Sequence, residues 1–324
     1  MFKCVIEILN HDVVFQPIVM DGIKIEWQRK STAGKLEFTV LNDGILDLDM
    51  GAAVRLRVFE IYEWHNVFYG YIFKLEDTKD GQTKITCYDQ LRYFKNKDTY
   101  CYGNIKASDL LQRICADYNL AFGAADDTGY VIPQRIESNK TLFDIMQNAL
   151  DLSMQNVNEI YCLYDDYGKI MLRNIQCMKY GIRIDEDTAQ DFSYTSSIDS
   201  DTYNQVKLTY DNKETGKRDV YLAKDSSNIN RWGILQYHDT LQQGENGAYK
   251  AQMLLQYYNR ISRGLTIKKA FGDINVRAGC YIMVRLALPD YWVDSYMLVE
   301  KVTHNLNENL HTMDLTLTGG DFTA

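Results

Sequence analysis

The sequence predicts a mainly β, α+β fold in which one small β domain occurs twice and flanks an inserted α+β region. Three observations carry this expectation. First, residues 44–58 (GILDLDMGAAVRLRV) and 272–286 (GDINVRAGCYIMVRL) align without a gap at a constant spacing of 228 residues, as from Gly44 to Gly272. Gly44/Gly272, Leu46/Ile274, Leu48/Val276, Gly51/Gly279, Val54/Ile282, Leu56/Val284, Arg57/Arg285 and Val58/Leu286 all match in type, and an internal repeat weighs before any other fold signal. Second, apolar and polar residues alternate through both ends of the chain, the pattern of half-buried strands. Third, helical periodicity is confined to the middle and to one later stretch.

Each copy reads as a short alternating approach, a glycine where the chain turns through conformations closed to side chains, and an alternating strand of β-formers. The copies continue in parallel. Residues 69–77, a turn at 79–82 and residues 83–88 follow the first; residues 296–304, a turn at 305–309 and residues 313–318 follow the second.

In chain order, strands are expected over 3–9, 23–28, 35–41, 54–60, 67–75 and 83–88, a spacing that suits a small sandwich or barrel. Residues 89–98 then carry the chain out of it. In 108–120 Leu110, Leu111, Ile114, Cys115 and Tyr118 fall on one helical face, and Asn119 suits the stop. A second helix over 141–153 buries Leu142, Ile145, Met146, Ala149 and Leu150, opened by a capping box of Thr141 with Asp144. Residues 126–129 form a turn between the helices, and 160–164 with 169–174 form a hairpin. Residues 185–201 hold Asp185, Glu186, Asp187, Asp191, Asp199 and Asp201 without Lys or Arg, which marks a solvated boundary. A hairpin of 204–210 and 218–222 around 212–216 follows. A third helix over 247–261 then buries Ala251, Leu254, Leu255, Tyr258 and Ile261 behind an Asn246 N-cap. The expected domains are residues 1–100, 101–195 and 196–324.

Composition excludes several classes. Hydrophobic residues are 46% and charged residues 24%, an ordinary globular balance. A net charge of −9, with no basic cluster interleaved with aromatics, argues against sequence-specific nucleic-acid binding. No stretch reaches the ~18 apolar residues of a membrane span, and no leader is read at the N-terminus. Seven dispersed cysteines without a Cys-x-x-Cys pair predict free, mostly buried thiols and no zinc knuckle. The 24 tyrosines suit surfaces buried on assembly, and equally suit strands.

Catalytic and cofactor motifs are missing. His304 and His311, with Glu308 in the turn between them, are the one pair inviting a metal, and exposure on a hairpin explains them better. No cofactor is expected. Abundant carboxylates leave a glycosidase pair such as Glu159 with Asp165 or Asp166 conceivable, but abundance selects none.

Residues 30–40 (KSTAGKLEFTV) and 88–99 (YDQLRYFKNKDT) resemble the tail hub proteins of contractile-tailed phages, defective prophages and phage-tail-like bacteriocins of Gram-positive bacteria. Residues 107–111 (ASDLL), 127–132 (DTGYVI) and 140–151 (KTLFDIMQNALD) extend the resemblance in the same order over nearly the whole chain. It implies two tube-like β-barrel domains around the inserted region, a homotrimer, and a place between a hexameric tail tube and a trimeric spike. Other baseplate proteins and the tape measure protein are further implied partners. The chain would be assembled in the host cytoplasm and leave it in a virion or bacteriocin particle; the resemblance also implies a central channel, and the net charge of −9 leads us to expect a mildly acidic wall. Two copies per chain let three chains offer six similar edges. The interface strands are then read as those carrying Val54, Leu56, Val58, Ile282, Val284 and Leu286. A non-enzymatic structural role is expected, the alternative being a tail-associated peptidoglycan hydrolase housed in the inserted piece.

Overall fold

The computed structural model describes residues 2–41, 44, 46–60, 62–199, 202–212, 216–241, 246–289, 291–308 and 310–319. Ile45 of the repeat, Asp201 of the acidic run, the turn residues Lys213, Glu214, Thr215 and Asn309, and residues 320–324 lie outside them. The described residues divide into two compact units, those of 2–193 with 266–317 and those of 194–265 with 318–319. The stretch 196–324 expected as one domain is therefore shared between two units.

The larger unit begins with β1 (Lys3–Asn10), β2 (Val13–Phe15), β3 (Ile23–Gln28), β4 (Lys35–Leu41), β5 (Ala53–Glu60), β6 (Glu63–Asp77) and β7 (Gln82–Tyr88). A 3-10 turn over Gln90–Lys95 leads to β8 (Lys97–Tyr102), α1 (Ala107–Asp117), β9 (Phe122–Ala125), β10 (Arg135–Thr141) and α2 (Leu142–Val157). The hairpin β11 (Tyr161–Asp165) and β12 (Ile170–Asn174) follows, then β13 (Lys179–Ile184) and β14 (Ala189–Ser197), of which residues 189–193 belong to the larger unit. The smaller unit holds β15 (Gln205–Asn212), β16 (Lys217–Lys224), α3 (Ser226–Trp232), β17 (Gln236–Thr240) and α4 (Gly247–Tyr258). The chain returns on β18 (Ser262–Phe271) and ends with β19 (Tyr281–Ala287), β20 (Trp292–Leu306) and β21 (His311–Thr318).

Thirteen strands make one sheet in the order β14-β18-β21-β20-β3-β4-β7-β6-β5-β1-β2, with β19 beside β20 and β13 beside β19. Two runs of five strands share one order, β3-β4-β7-β6-β5 and β14-β18-β21-β20-β19. Two closed barrels were expected; among the described residues the sheet instead runs open from β14 to β2. Strand length is the reason. β20 is 15 residues long, pairs β19 through residues 292–298 and β3 through residues 301–306, and so leads one run into the other.

The turn before β5 and the turn before β19 carry the same bonds. Gly51 donates to the Ile72 carbonyl at 2.8 Å, Ile72 to Ala52 at 3.0 Å and Ala52 to Asp49 at 3.2 Å. Gly279 donates to Val299 at 2.8 Å, Val299 to Cys280 at 2.9 Å and Cys280 to Arg277 at 3.2 Å. Gly51 and Gly279 sit at φ 88° and 94°, a region that strains any side chain.

The inserted region has its own core. Leu110, Leu111 and Ile114 of α1 and Leu142, Ile145 and Met146 of α2 close on Phe94, Tyr100, Ile170 and Leu172. Burying each large side chain stabilises the fold by about 1.5–3 kcal/mol. The capping box forms as read: Asp144 N donates to Thr141 Oγ1 at 3.1 Å and Thr141 N to Asp144 Oδ2 at 3.3 Å. In the smaller unit, Ala251 and Leu255 of α4 pack on Val206 and Leu208 of β15 and on Leu241. Asn246 caps α4 by accepting from Tyr249 N at 3.1 Å.

Candidate assembly interface

The six residues read as interface positions do not present their side chains outward. Val54, Leu56, Val58, Ile282 and Val284 are 0% exposed and Leu286 is 1% exposed, because alternation turns all six toward the protein's own core. Both flanks of their strands are also occupied. β5 lies between β1 and β6, and β19 between β13 and β20. Any interface on these strands therefore uses the intervening outward residues, among them Arg55, Arg57, Met283 and Arg285.

Strand edges distinguish the two five-strand runs more sharply. Residues 301–306 of β20 pair with β3, and there Val302, Thr303, His304 and Leu306 are all buried. The corresponding part of β6, residues 73–77, pairs with β7 alone; Phe73 and Leu75 are half-buried, and Lys74, Glu76 and Asp77 are exposed. The strand matching β3 in the second run is β14, which ends the sheet among the described residues, and none of residues 189–193 is buried. An unpaired edge is a template for another strand.

Two buried polar clusters tie the larger unit together. His304 and His311, expected on an exposed hairpin, are 0% and 8% exposed. His304 Nε2 donates to the Val276 carbonyl at 2.8 Å, which leaves its Nδ1 to accept from His311 Nε2 at 2.9 Å. His311 Nδ1 then faces Glu60 Oε1 at 3.0 Å, and Glu60 Oε2 accepts from Ile274 N at 3.2 Å. Hydrogen-bond direction thus calls for one shared proton between Glu60 Oε1 and His311 Nδ1. Burial opposes the Glu60 charge, yet the His311 hydrogen bond and charge hold its carboxyl below the usual range. Burial, then the His311 charge, pulls His304 down to about 3. Glu60 had no signal in the sequence, since it lies 251 residues from His311. Glu308 takes no part; its backbone N–H donates to Asp21 at 2.8 Å.

The second cluster joins β-sheet and insertion. Asp89 accepts from Gly34 N at 2.9 Å and Leu91 N at 3.0 Å. A side chain at position 34 would overlap both that carboxylate and the Trp27 indole. Burial first, and the nearby Asp165 charge second, push the Asp89 carboxyl up; burial likewise pushes Asp165 to about 6. Arg277 donates to the Asp165 carbonyl at 2.7 Å and lies 4.1 Å from the Tyr164 ring centroid.

The conceivable carboxylates are engaged by neighbouring groups of the fold. Glu159 accepts from the Tyr161 hydroxyl at 2.5 Å, whereas Asp165 is buried and accepts from Gly168 N at 2.6 Å. The cavity beside Asp89 and Arg277 has a volume of about 10 Å³, no larger than one water needs. Among the described residues no group of three His, Cys, Asp or Glu is placed to hold a metal ion. Among the described residues no helix is long and apolar enough to cross a membrane. All seven cysteines are free, four of them buried.

The fold is that of phage tail and baseplate proteins. A 43 kDa tail protein of prophage MuSo2 from Shewanella oneidensis superposes with a TM-score of 0.70 at 12% identity, over 97% of this chain and 98% of that one. A tail protein from Neisseria meningitidis MC58 gives 0.66 at 10% identity, over 99% and 100%. In sequence, the chain is 26% identical over 322 residues to the phage-like element PBSX protein XkdQ of Bacillus subtilis, covering 94% of each. The uncharacterized protein YqbQ of the same organism is 26% identical over 268 residues, 79% of each. The chain belongs to the YQBQ-like family, whose model matches residues 23–318.

Proposed function

We propose that the protein is the structural hub of a contractile tail or phage-tail-like particle, a homotrimer that joins a hexameric tail tube to a trimeric spike and baseplate. One observation carries this reading. Two five-strand runs of identical order meet inside the chain at the β20–β3 pairing, while the matching outer edges of β14 and of residues 73–77 of β6 have no partner strand among the described residues. Pairing β14 of one chain with β6 of the next repeats the internal junction between chains. Three such contacts close a ring with six copies of one sheet unit, the duplicated tube-like barrel in its assembled form. A threefold body then meets a sixfold tube on one side and a threefold spike on the other. The work is positional, and no catalytic group is assigned.

Native mass measurement of the purified chain with tail tube subunit and spike protein tests the proposal. Three chains per complex, binding both partners at once, is the expected result. A complex with one or two chains, or cell-wall lysis that survives removal of contaminating hydrolases and is lost in Glu159→Gln, contradicts it.

A further inference from the structure

Both five-strand runs expose an arginine stacked on a tryptophan at the same place. The Arg57 guanidinium lies 5.6 Å from the Trp64 ring centroid, and that of Arg285 lies 5.9 Å from Trp292. Arg57 and Arg285, like Trp64 and Trp292, stand at the 228-residue spacing of the repeat. The arginines lie on the outward faces of β5 and β19; the tryptophans begin the neighbouring long strands β6 and β20. Each arginine also has a carboxylate close by: Arg57 donates to Glu7 at 2.8 Å, and Arg285 lies 3.9 Å from Asp294. The indoles remain 44% and 55% exposed.

Positions around the pair have diverged: Arg55 corresponds to Met283, Phe59 to Ala287 and Glu60 to Leu288. Trp64 also packs on the Phe59 ring at 5.4 Å, whereas Ala287 stands in the place of Phe59 beside Trp292, so that intramolecular contact does not account for an indole in both runs; about half of each ring stays free to be buried against another surface. We infer that the Arg57–Trp64 and Arg285–Trp292 pairs are two copies of one docking element, read by a partner that is itself a ring of six identical subunits. This inference rests on the hub reading above and names the residues through which the hub meets its sixfold neighbour, the tail tube. A threefold partner meets each chain once and needs only one of the pairs. A sixfold partner meets both runs with the same pocket, so both must carry the same element. The pocket that fits is an apolar slot for the indole edged by carboxylate or carbonyl oxygens for the guanidinium.

The test is binding of the full-length chain to polymerised tail tube subunit, followed by co-sedimentation. Trp64→Ala and Trp292→Ala are each expected to weaken binding by about 30-fold, the loss typical of an interface hot spot, and by similar factors. The double variant is expected to stay in the supernatant. Trp64→Phe and Trp292→Phe, which keep an apolar ring, should lose less, and unchanged thermal unfolding midpoints separate docking from misfolding. Wild-type affinity in the double variant overturns the inference, and so does a loss confined to one of the two tryptophans. Failure of the unaltered chain to bind the tube would instead overturn the hub reading, and the inference with it.

Discussion

The β20–β3 junction and its two open counterparts show one strand arrangement in two conditions. Where β3 lies beside residues 301–306, an unbroken row of side chains from Val302 to His304 is buried, and the Lys301 ammonium reaches Glu26 across the strands at 3.0 Å. Where residues 73–77 lack that neighbour, Lys74 turns to Glu76 of its own strand at 2.9 Å and both side chains stay about half exposed. The difference teaches that the fold of one chain leaves its sheet unfinished, since the same geometry closes once internally and is left open at both outer ends.

The comparison is sharpened first in the core shared by both runs. Leu56→Ala and Ile282→Ala each remove a fully buried side chain at comparable depth, and each should cost about 2–5 kcal/mol in urea unfolding. A near-zero cost for one would break the equivalence of the runs.

The Glu60–His311–His304 relay comes next, because only the second run contains the histidines. His311→Leu leaves the half-buried Glu60 carboxylate with its Ile274 N–H but without its imidazole partner, and should cost about 1–3 kcal/mol at neutral pH, measured by thermal unfolding. Glu60 is held below its unfolded value, so its stabilisation is present above that value and is lost as pH falls through the folded one. His304 is held near 3, below its unfolded value, so protonation of the unfolded chain destabilises the fold as pH falls from the ordinary histidine range toward that value. Both signs agree. Stability should decline on acidification below about pH 6.5, the unfolded histidine value, and His304→Gln should flatten that slope.

Smaller effects belong to the exposed pairs. Lys301→Ala removes an ion pair across the closed junction and should cost under about 1 kcal/mol, while Lys74→Ala at the open edge should leave the stability of the isolated chain unchanged.

Much of this arrangement was legible in the sequence. The 228-residue echo marked the Gly51 and Gly279 turns, whose hydrogen bonds agree one for one. Thr141 with Asp144 fixed the start of α2, and Asn246 that of α4. Helix α3 was missed because SSNINRW is polar, seven residues long and buries none of its side chains. β10, reading RIESNKT, has no apolar alternation and pairs only with β8. The interface reading on Val54 to Val58 and Ile282 to Leu286 found the right strands for a repeat, but alternation marks the face that packs inward, and the outward face carries no comparable periodic signal. Long-range pairing was likewise invisible: nothing local tells Glu60 that His311 will be its partner, or β3 that β20 will.

Cross-linking between chains tests the central claim most directly. In a background with the exposed Cys101 and Cys177 replaced, Glu76→Cys on β6 and Asp191→Cys on β14 would be joined by a short bismaleimide and resolved on a denaturing gel. The account predicts a ladder that ends at three chains, with each single-cysteine control staying at the 37.6 kDa of one chain. No linkage between the two positions, or a ladder running past three, would contradict it.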